Sequence, residues 1–299
     1  MCITPITLKR EYRTKDDSDQ KNGSGLAHVV PCGKCVKCLR RRQASWAFRL
    51  MEQMKVSESA CFLTFTYETA PVSPNGYMTL VKSDYQKFMK KLRKRLKPLD
   101  YGLRFKNHMP KLKYYAVGEY GSSGDRPHYH AIMFNLPGTY MANPDILTKV
   151  WDKGIIDIGT CTGASIAYTT KYIMSGAWEP VDIVDTNTGA IIEDDRQPHF
   201  SLMSKGLGST YLTPAMVRYH KERLHSFITL PGGYLTALPR YFRDRIFTSV
   251  EKKEIATAMK EWHELNIENL FETAEAELTW KKDQIRKQEK AKLLERAKF

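Results

Sequence analysis

The segment RPHYHAIMF, residues 126–134, sets His128 and His130 on either side of one aromatic and runs on into apolar residues. Alternation of this kind belongs to a β-strand, where every second side chain points to the same face. Both imidazoles then project together and Tyr129 points the other way. Such a pair can be two hydrogen-bonded histidines and nothing more, or two ligands of one metal ion. Glu119, in YYAVGEYG, ends the preceding strand-like segment, and a hairpin through GSSGDRP brings its carboxylate back beside the imidazoles. Two imidazoles and a carboxylate leave positions open for water or a phosphate oxygen, as a catalytic centre requires. Asp125, in the turn itself, is a rival ligand, and a strand-end salt bridge is the plain alternative for Glu119.

A nucleophile is available in YTTKY, residues 168–172. On a helix, positions i, i+3 and i+4 share a face, so Tyr168, Lys171 and Tyr172 can converge on one phosphate. A phenol is a poor nucleophile until a base, a cation or a metal favours its anion, and Lys171 can supply that charge or neutralise phosphorane oxygens. An ordinary packing face is the competing reading. Either tyrosine can lead; the adjacency of Lys171 favours Tyr172. A third constellation is C-x2-C-x2-C at Cys32, Cys35 and Cys38, in PCGKCVKCLRRR. Lysine and glycine between the thiols speak for an exposed turn rather than core packing. Tetrahedral zinc needs a fourth ligand, for which Cys2 is the first choice and His28 the second. Metal-free surface thiols are the alternative. Cys61 and Cys161 have apolar or small neighbours and read as buried thiols.

The elements that must position these residues follow from periodicity. Residues 11–25 are polar and Gly/Ser-rich, a loop. Leu39, Trp46, Leu50 and Met54 mark one face of a helix, and CFLTFTY (61–67) has strand composition. Within CFLTFTY, Thr64 and Thr66 are placed to support the neighbouring histidine strand or a ligand. The segment 83–97 opens with a Ser83-to-Gln86 capping-box pattern, buries Tyr85, Phe88, Met89, Leu92 and Leu96, and ends at Pro98. Its other faces carry Lys87, Lys90, Lys91 and Lys94, either a solvated surface or phosphate contacts. Then come strands KLKYYAVGEY and HYHAIMF, a helix in NPDILTKVWDKG with Asn143 as its cap, strand GIIDIG, and a helix over 163–176 closed by Gly176. From residue 61 the order is β-α-β-β-α-β-α, the split βαβ pattern of ferredoxin-like domains with one helix added. An acidic hairpin around TNTG, a glycine-punctuated segment HFSLMSKGLGSTYL packed on the core, a helix in LPRYFRDRIF with Pro239 in its first turn and a helical tail from about 250 follow. The fold class is therefore α+β. Three regions are expected: a cysteine-rich segment and helix at 1–60, the chemistry-bearing domain at 61–178, and an accessory region at 179–299.

Composition bounds the partner. Lys and Arg number 47 against 33 Asp and Glu in 299 residues, a net +14, which favours a polyanion such as nucleic acid. No apolar run reaches the length of a membrane span, so no membrane partner is expected. MCITPITLKREYR lacks the apolar core of a signal peptide, and a cytoplasmic setting with reduced thiols is expected.

FLTFTY, GEYGSSGDRPHYHAIMF and AYTTKY, in this order and spacing, resemble the three motifs of HUH endonucleases. The resemblance is to the replication initiators of the microviruses, in particular the gokushovirus branch, and CITP, PCGKCVKCLRRRQASWAFRL, MSKGLG and LPRYFRDRIF extend it over most of the chain. It implies that His128, His130 and Glu119 hold Mg²⁺ or Mn²⁺, that Tyr168 or Tyr172 nicks single-stranded origin DNA, and that a 5′-phosphotyrosine and a free 3′-hydroxyl result. It implies a bacterial host's cytoplasm as the setting, with the host replication helicase and polymerase as possible partners. Some relatives continue the tyrosine helix with another lysine; here YIMSG follows and Lys171 stands alone. A two-tyrosine transposase would share every one of these residues. A noncatalytic protein, a zinc knuckle joined to an RRM-like sheet, would instead use Tyr114, Tyr115 and Tyr129 to stack bases.

Overall fold

The computed structural model describes residues 2–8, 28–103, 109–121, 124–173, 183–184, 189, 191–230, 233 and 235–270. The expected loop at 11–25, Gly176 and the tail beyond 270 lie outside them. Strand β1 (Ile6–Leu8) pairs antiparallel with β2 (His28–Val30), and helix α1 (Val36–Lys55) follows. The central run is β3 (Ala60–Thr66), α2 (Lys82–Arg95), β4 (Lys113–Tyr120), β5 (Pro127–Phe134), α3 (Gly138–Ala142), α4 (Pro144–Trp151), β6 (Ile156–Thr160) and α5 (Gly163–Lys171). A short hairpin of β7 (Ile183–Val184) and β8 (Ile191–Ile192) bears out the acidic hairpin. Then come β9 (Phe200–Met203), α6 (Pro214–Glu222), the β10 (Phe227–Thr229) and β11 (Leu235–Ala237) pair, α7 (Arg240–Ile246) and α8 (Ser249–Leu270).

One antiparallel sheet organises the molecule, in the order β6-β3-β5-β4-β9. Its first four strands interleave as the split βαβ order requires. Strand β9, at the β4 edge, comes from the glycine-punctuated segment and was not separable from loop in the sequence.

Strand alternation gives the sheet two different faces. Leu63, Phe65, Tyr129 and Met133 pack under α2 and α4 with Tyr85, Phe88, Met89, Leu92 and Trp151. Phe65 meets the rings of Phe88, Tyr85 and Trp151 edge-on at 4.8, 5.3 and 5.3 Å. Each such side chain, fully buried, contributes about 1.5–3 kcal/mol. On the other face Tyr115, Val117, Ile132 and Phe134 pack with Leu50 of α1 and Ile166 of α5. Phe48, on a different side of α1, joins Ile228, Phe242, Ile246 and Ile255 in a third cluster.

Helix ends depart from the expected caps. Helix α2 starts at Lys82 with Val81 as N-cap, so the Ser83–Gln86 box is not formed. The buried Tyr129 hydroxyl fixes the entry of the chain instead, accepting from Val81 N at 3.0 Å and donating to Val81 O at 2.9 Å. Asn143 precedes α4 but its side chain caps nothing, and Pro239 is the N-cap of α7 rather than part of its first turn. Helix α5 ends at Lys171, with Tyr172 as C-cap, short of the expected residue 176.

Candidate active site

Register assembles the site. Glu119 of β4 stands opposite His128 of β5, while Thr64 and Thr66 of β3 stand opposite His130 and His128. All five share the sheet face that α1 and α5 cover. Glu119 Oε1 lies 2.7 Å from His130 Nε2 and 3.4 Å from His128 Nε2. Glu119 and His130 are buried, and His128 sits at the rim. Both Nδ1 atoms are engaged elsewhere, His130 with Thr64 Oγ1 at 3.1 Å and His128 with the Arg126 carbonyl at 2.7 Å. A carbonyl only accepts, so His128 Nδ1 carries a proton, and the neutral ring turns its Nε2 lone pair inward. Burial acts to raise the Glu119 pKa, but the hydrogen bonds and charge of His128 and His130 hold it below the usual carboxylate range. Its second oxygen, Oε2, is buried without a hydrogen-bond partner. Native buried polar atoms are rarely left so, and a metal ion is one way to satisfy them. Asp125, the rival ligand, instead pairs with Arg196 at 2.7 Å. Thr66 donates to the Ile155 carbonyl at 3.3 Å, so of the two threonines Thr64 is the one bonded to the cluster.

Helix α5 brings the phenols. Thr162 and Ser165 form its capping box, and Thr169 and Thr170, both buried, return their hydroxyls to the carbonyls of Ser165 and Ile166 at 2.8 Å. Those internal bonds satisfy the hydroxyls of a segment whose β-branched residues weaken helix propensity. One turn apart, Tyr172 donates to the Tyr168 hydroxyl at 2.7 Å. The Tyr168 ring meets His130 edge-on at 5.3 Å, and the Tyr172 ring lies nearly parallel to it at 6.1 Å. Tyr168 is 41% exposed and Tyr172 half-buried. Burial, the Tyr168 hydroxyl and the Glu119 charge push the Tyr172 hydroxyl well above its ordinary pKa. Lys171 is exposed at the end of the helix, with no ion pair or hydrogen bond among the described residues. Phe62, stacked on His130 at 5.3 Å, belongs to the site as well; its place two residues before Thr64 was the signal for it.

The thiols of Cys2, Cys32, Cys35 and Cys38 form a second cluster, every pair of sulfurs within 4.8 Å. Cys2 Sγ is 3.4 Å from Cys32 Sγ and 3.7 Å from Cys35 Sγ. Four sulfurs around zinc at ~2.3 Å lie about 3.8 Å apart, so the set matches a tetrahedral ion. Backbone N–H groups of Ile3, Cys32 and Cys35 point at sulfur, at 3.5, 3.2 and 3.2 Å. Although burial acts against it, donors including the Thr4 hydroxyl bring the Cys32 thiol down to about 6. Gly33, at φ +75°, makes the left-handed turn between the first two thiols of the motif. Of His28 only the backbone, in β2, is described. Cys61 is buried as expected and Cys161 partly so.

Lys87, Lys90, Lys91 and Lys94 are exposed on α2, but α2 covers the opposite face of the sheet from Glu119. Lys91 also pairs with Asp152. Tyr114, Tyr115 and Tyr129 are all buried, which removes them as base-stacking platforms. No helix among the described residues is long and apolar enough to cross a membrane.

Fold and sites define an α+β protein whose sheet carries a candidate metal centre rimmed by two phenols, with a separate thiol cluster at one end. Residues 60–177 match the family model of the replication-associated protein ORF2. The chain is 30% identical over 232 residues to the replication-associated protein ORF2 of Spiroplasma virus 4, covering 73% of this chain and 67% of that protein. It is 25% identical over 261 residues to the replication-associated protein VP4 of Bdellovibrio phage phiMH2K, covering 81% and 76%. Against the replication-associated protein ORF4 of Chlamydia phage 1 it is 24% identical over 231 residues, covering 72% and 53%. The chain belongs to this family of microvirus replication-associated proteins. No solved structure matches it.

Proposed function

We propose that the protein initiates rolling-circle replication as an HUH endonuclease that nicks single-stranded DNA at a replication origin. Residues 61–178 carry the chemistry, with 1–60 and 179–299 as accessory regions. The observation that carries this reading is the convergence of two phenol oxygens, 2.7 Å apart, beside His130, whose Nε2 meets Glu119 at 2.7 Å. The donor set of two imidazole nitrogens and a carboxylate with an orphaned oxygen fits a divalent cation, Mg²⁺ or Mn²⁺, held by His128, His130 and Glu119. Such an ion, when bound, supplies positive charge to the scissile phosphate. A tyrosine oxygen attacks phosphorus, a Tyr–O–P bond forms as the bond to the 3′-oxygen breaks, and the phenol's proton is made up on the departing 3′-oxygen through solvent. Lys171, exposed at the same helix end, neutralises charge on the phosphate oxygens. The phosphotyrosine conserves the phosphodiester, so a 3′-hydroxyl can later displace it and circularise the strand. The four thiols hold a structural zinc, and the host helicase and polymerase extend the freed 3′ end.

The test is incubation with single-stranded origin DNA and Mn²⁺, followed by a denaturing gel. A covalent adduct is expected from the wild type and none from the Tyr168→Phe/Tyr172→Phe double variant. An adduct that survives in the double variant puts the nucleophile elsewhere.

A further inference from the structure

Arg42, Trp46, Arg49 and Gln53 are spaced four, three and four apart, so they line one stripe of α1. Trp46 leans on Tyr115 at 5.0 Å, and Tyr115 lies four residues along β4 from Glu119. At about 3.3 Å per residue the two positions are about 13 Å apart, a reach of a few nucleotides. The Arg49 guanidinium sits 4.1 Å from the Trp46 ring centroid and 4.0 Å from that of Tyr241, and Arg245 lies on the Tyr241 ring at 3.7 Å. Aromatic and cationic groups thus alternate from the sheet's site face outward onto α7.

Arg49 is only 8% exposed, yet no carboxylate among the described residues pairs with it. Its Nε donates to the Leu207 carbonyl at 3.1 Å. Gly208 presses on the same turn of α1: at φ +68°, a Cβ there would lie 2.5 Å from the Arg49 carbonyl oxygen. Burial, with the charge of Arg245 nearby, lowers the Arg49 pKa to about 10 against the opposing influence of Tyr241. Among the described residues, none of Arg42, Arg49 and Arg245 has an acidic partner within ion-pair distance. Cations gathered without acids around half-buried aromatics suit a polyanion that carries its own rings. On α2, by contrast, the aromatics are buried beneath the helix and Lys91 already has Asp152.

We propose that Trp46, Arg49, Tyr241 and Arg245, with Arg42 at the open end, form the track along which single-stranded DNA runs to the Glu119–His130 site. The faces of the Arg49 guanidinium are taken by rings, so its N–H edge is left for phosphate. Bases stack on the outer surfaces of Trp46 and Tyr241, an arrangement that tolerates any sequence. The proposal rests on the nicking reading given above, and it names the surface that delivers the strand.

Binding is measured with a fluorescent single-stranded oligonucleotide in EDTA, so that cleavage does not enter. Arg42→Ala/Arg245→Ala alters two exposed side chains. It should weaken binding at low salt by 10-fold or more and lower the slope of log K against log salt by about 1.4, at ~0.7 for each phosphate no longer neutralised. Trp46→Phe should abolish a DNA-induced change in tryptophan fluorescence. Circular dichroism and melting on each variant keep a loss of binding distinct from a loss of fold. An unchanged slope in the arginine variant overturns the proposal, most directly if Lys90→Ala/Lys94→Ala flattens it instead. A wild-type protein that binds with the expected slopes but forms no adduct with Mn²⁺ present supports the track and removes the nicking reading. An adduct with unaltered slopes does the reverse.

Discussion

His130 is positioned by its neighbours on three strands and one helix. Phe62 and Tyr172 lie nearly parallel to its ring, Thr64 bonds Nδ1, and Glu119 meets Nε2. Thr64 acts through the ring rather than on substrate, and groups of this kind orient a ligand and fix its tautomer. Thr64→Val keeps the side-chain volume and removes the bond. Adduct formation should fall about 10–100-fold at limiting Mn²⁺ and recover as Mn²⁺ is raised, whereas His130→Ala should show no recovery. A Thr64→Val protein with the wild-type Mn²⁺ dependence would return the threonine to plain sheet packing. The tyrosines divide by exposure. Adjacency to Lys171 favoured Tyr172, but Tyr168 is the exposed one and receives the Tyr172 proton, a bond that stabilises the Tyr168 anion. Tyr168→Phe should therefore slow first-strand cleavage at least 10-fold. Tyr172→Phe should spare that cleavage and lose circularisation, with linear and circular products separated on one gel. The reverse pattern would give the lead to Tyr172.

Helix α5 must hold the two phenols one turn apart although it is short and rich in threonine. Its Thr162–Ser165 box satisfies amide groups at the N-terminus, so Thr162→Ala should cost about 1 kcal/mol, read as a lower urea midpoint with an unchanged slope. A variant as stable as the wild type would mean that packing of Ile166 and Thr170 alone sets the helix. The elements differ in how far their sequences announce them. HYHAIMF and CFLTFTY were legible because each strand shows period-two alternation between two different faces, which fixes what stands beside what. The α2 stripe was legible for the same reason at period 3.6. The true cap of α2 was not, because a tyrosine hydroxyl almost fifty residues away in the chain replaces a local side chain. Strand β9 was not either: four residues at a sheet edge exist only through their pairing with residues 115–118 of β4. The convergence of Glu119, His128 and His130 followed from alternation plus one hairpin. The Arg49–Tyr241 contact joins segments nearly two hundred residues apart, and nothing local announces it.

At the scale of the molecule, α1 is the shared member: Leu50 enters the sheet's site-face cluster, Phe48 the C-terminal cluster, and Cys35 caps its first turn. The spacing of Cys32, Cys35 and Cys38 made a metal site legible, while the choice between Cys2 and His28 needed the path of the intervening chain. The four-thiol grouping favours Cys2. A metal there ties residue 2 to residue 32, closing a loop whose entropy is otherwise lost only on folding. Because the clip sits at the start of the helix that both apolar clusters share, its loss should be felt globally and not as local fraying. Protein purified without added zinc should carry about one zinc per chain by elemental analysis. A strong chelator, or Cys32→Ser, should then lower the melting temperature by about 5 °C or more. For a chain of this size each kcal/mol is worth ~2–4 °C, and thiolate zinc sites contribute folding free energy directly. The melt should stay a single transition, since Phe48 and Leu50 couple the two clusters through one helix. Two separated transitions after chelation would show that the clusters unfold independently, and a metal-free protein with an unchanged melt would dismiss the zinc altogether.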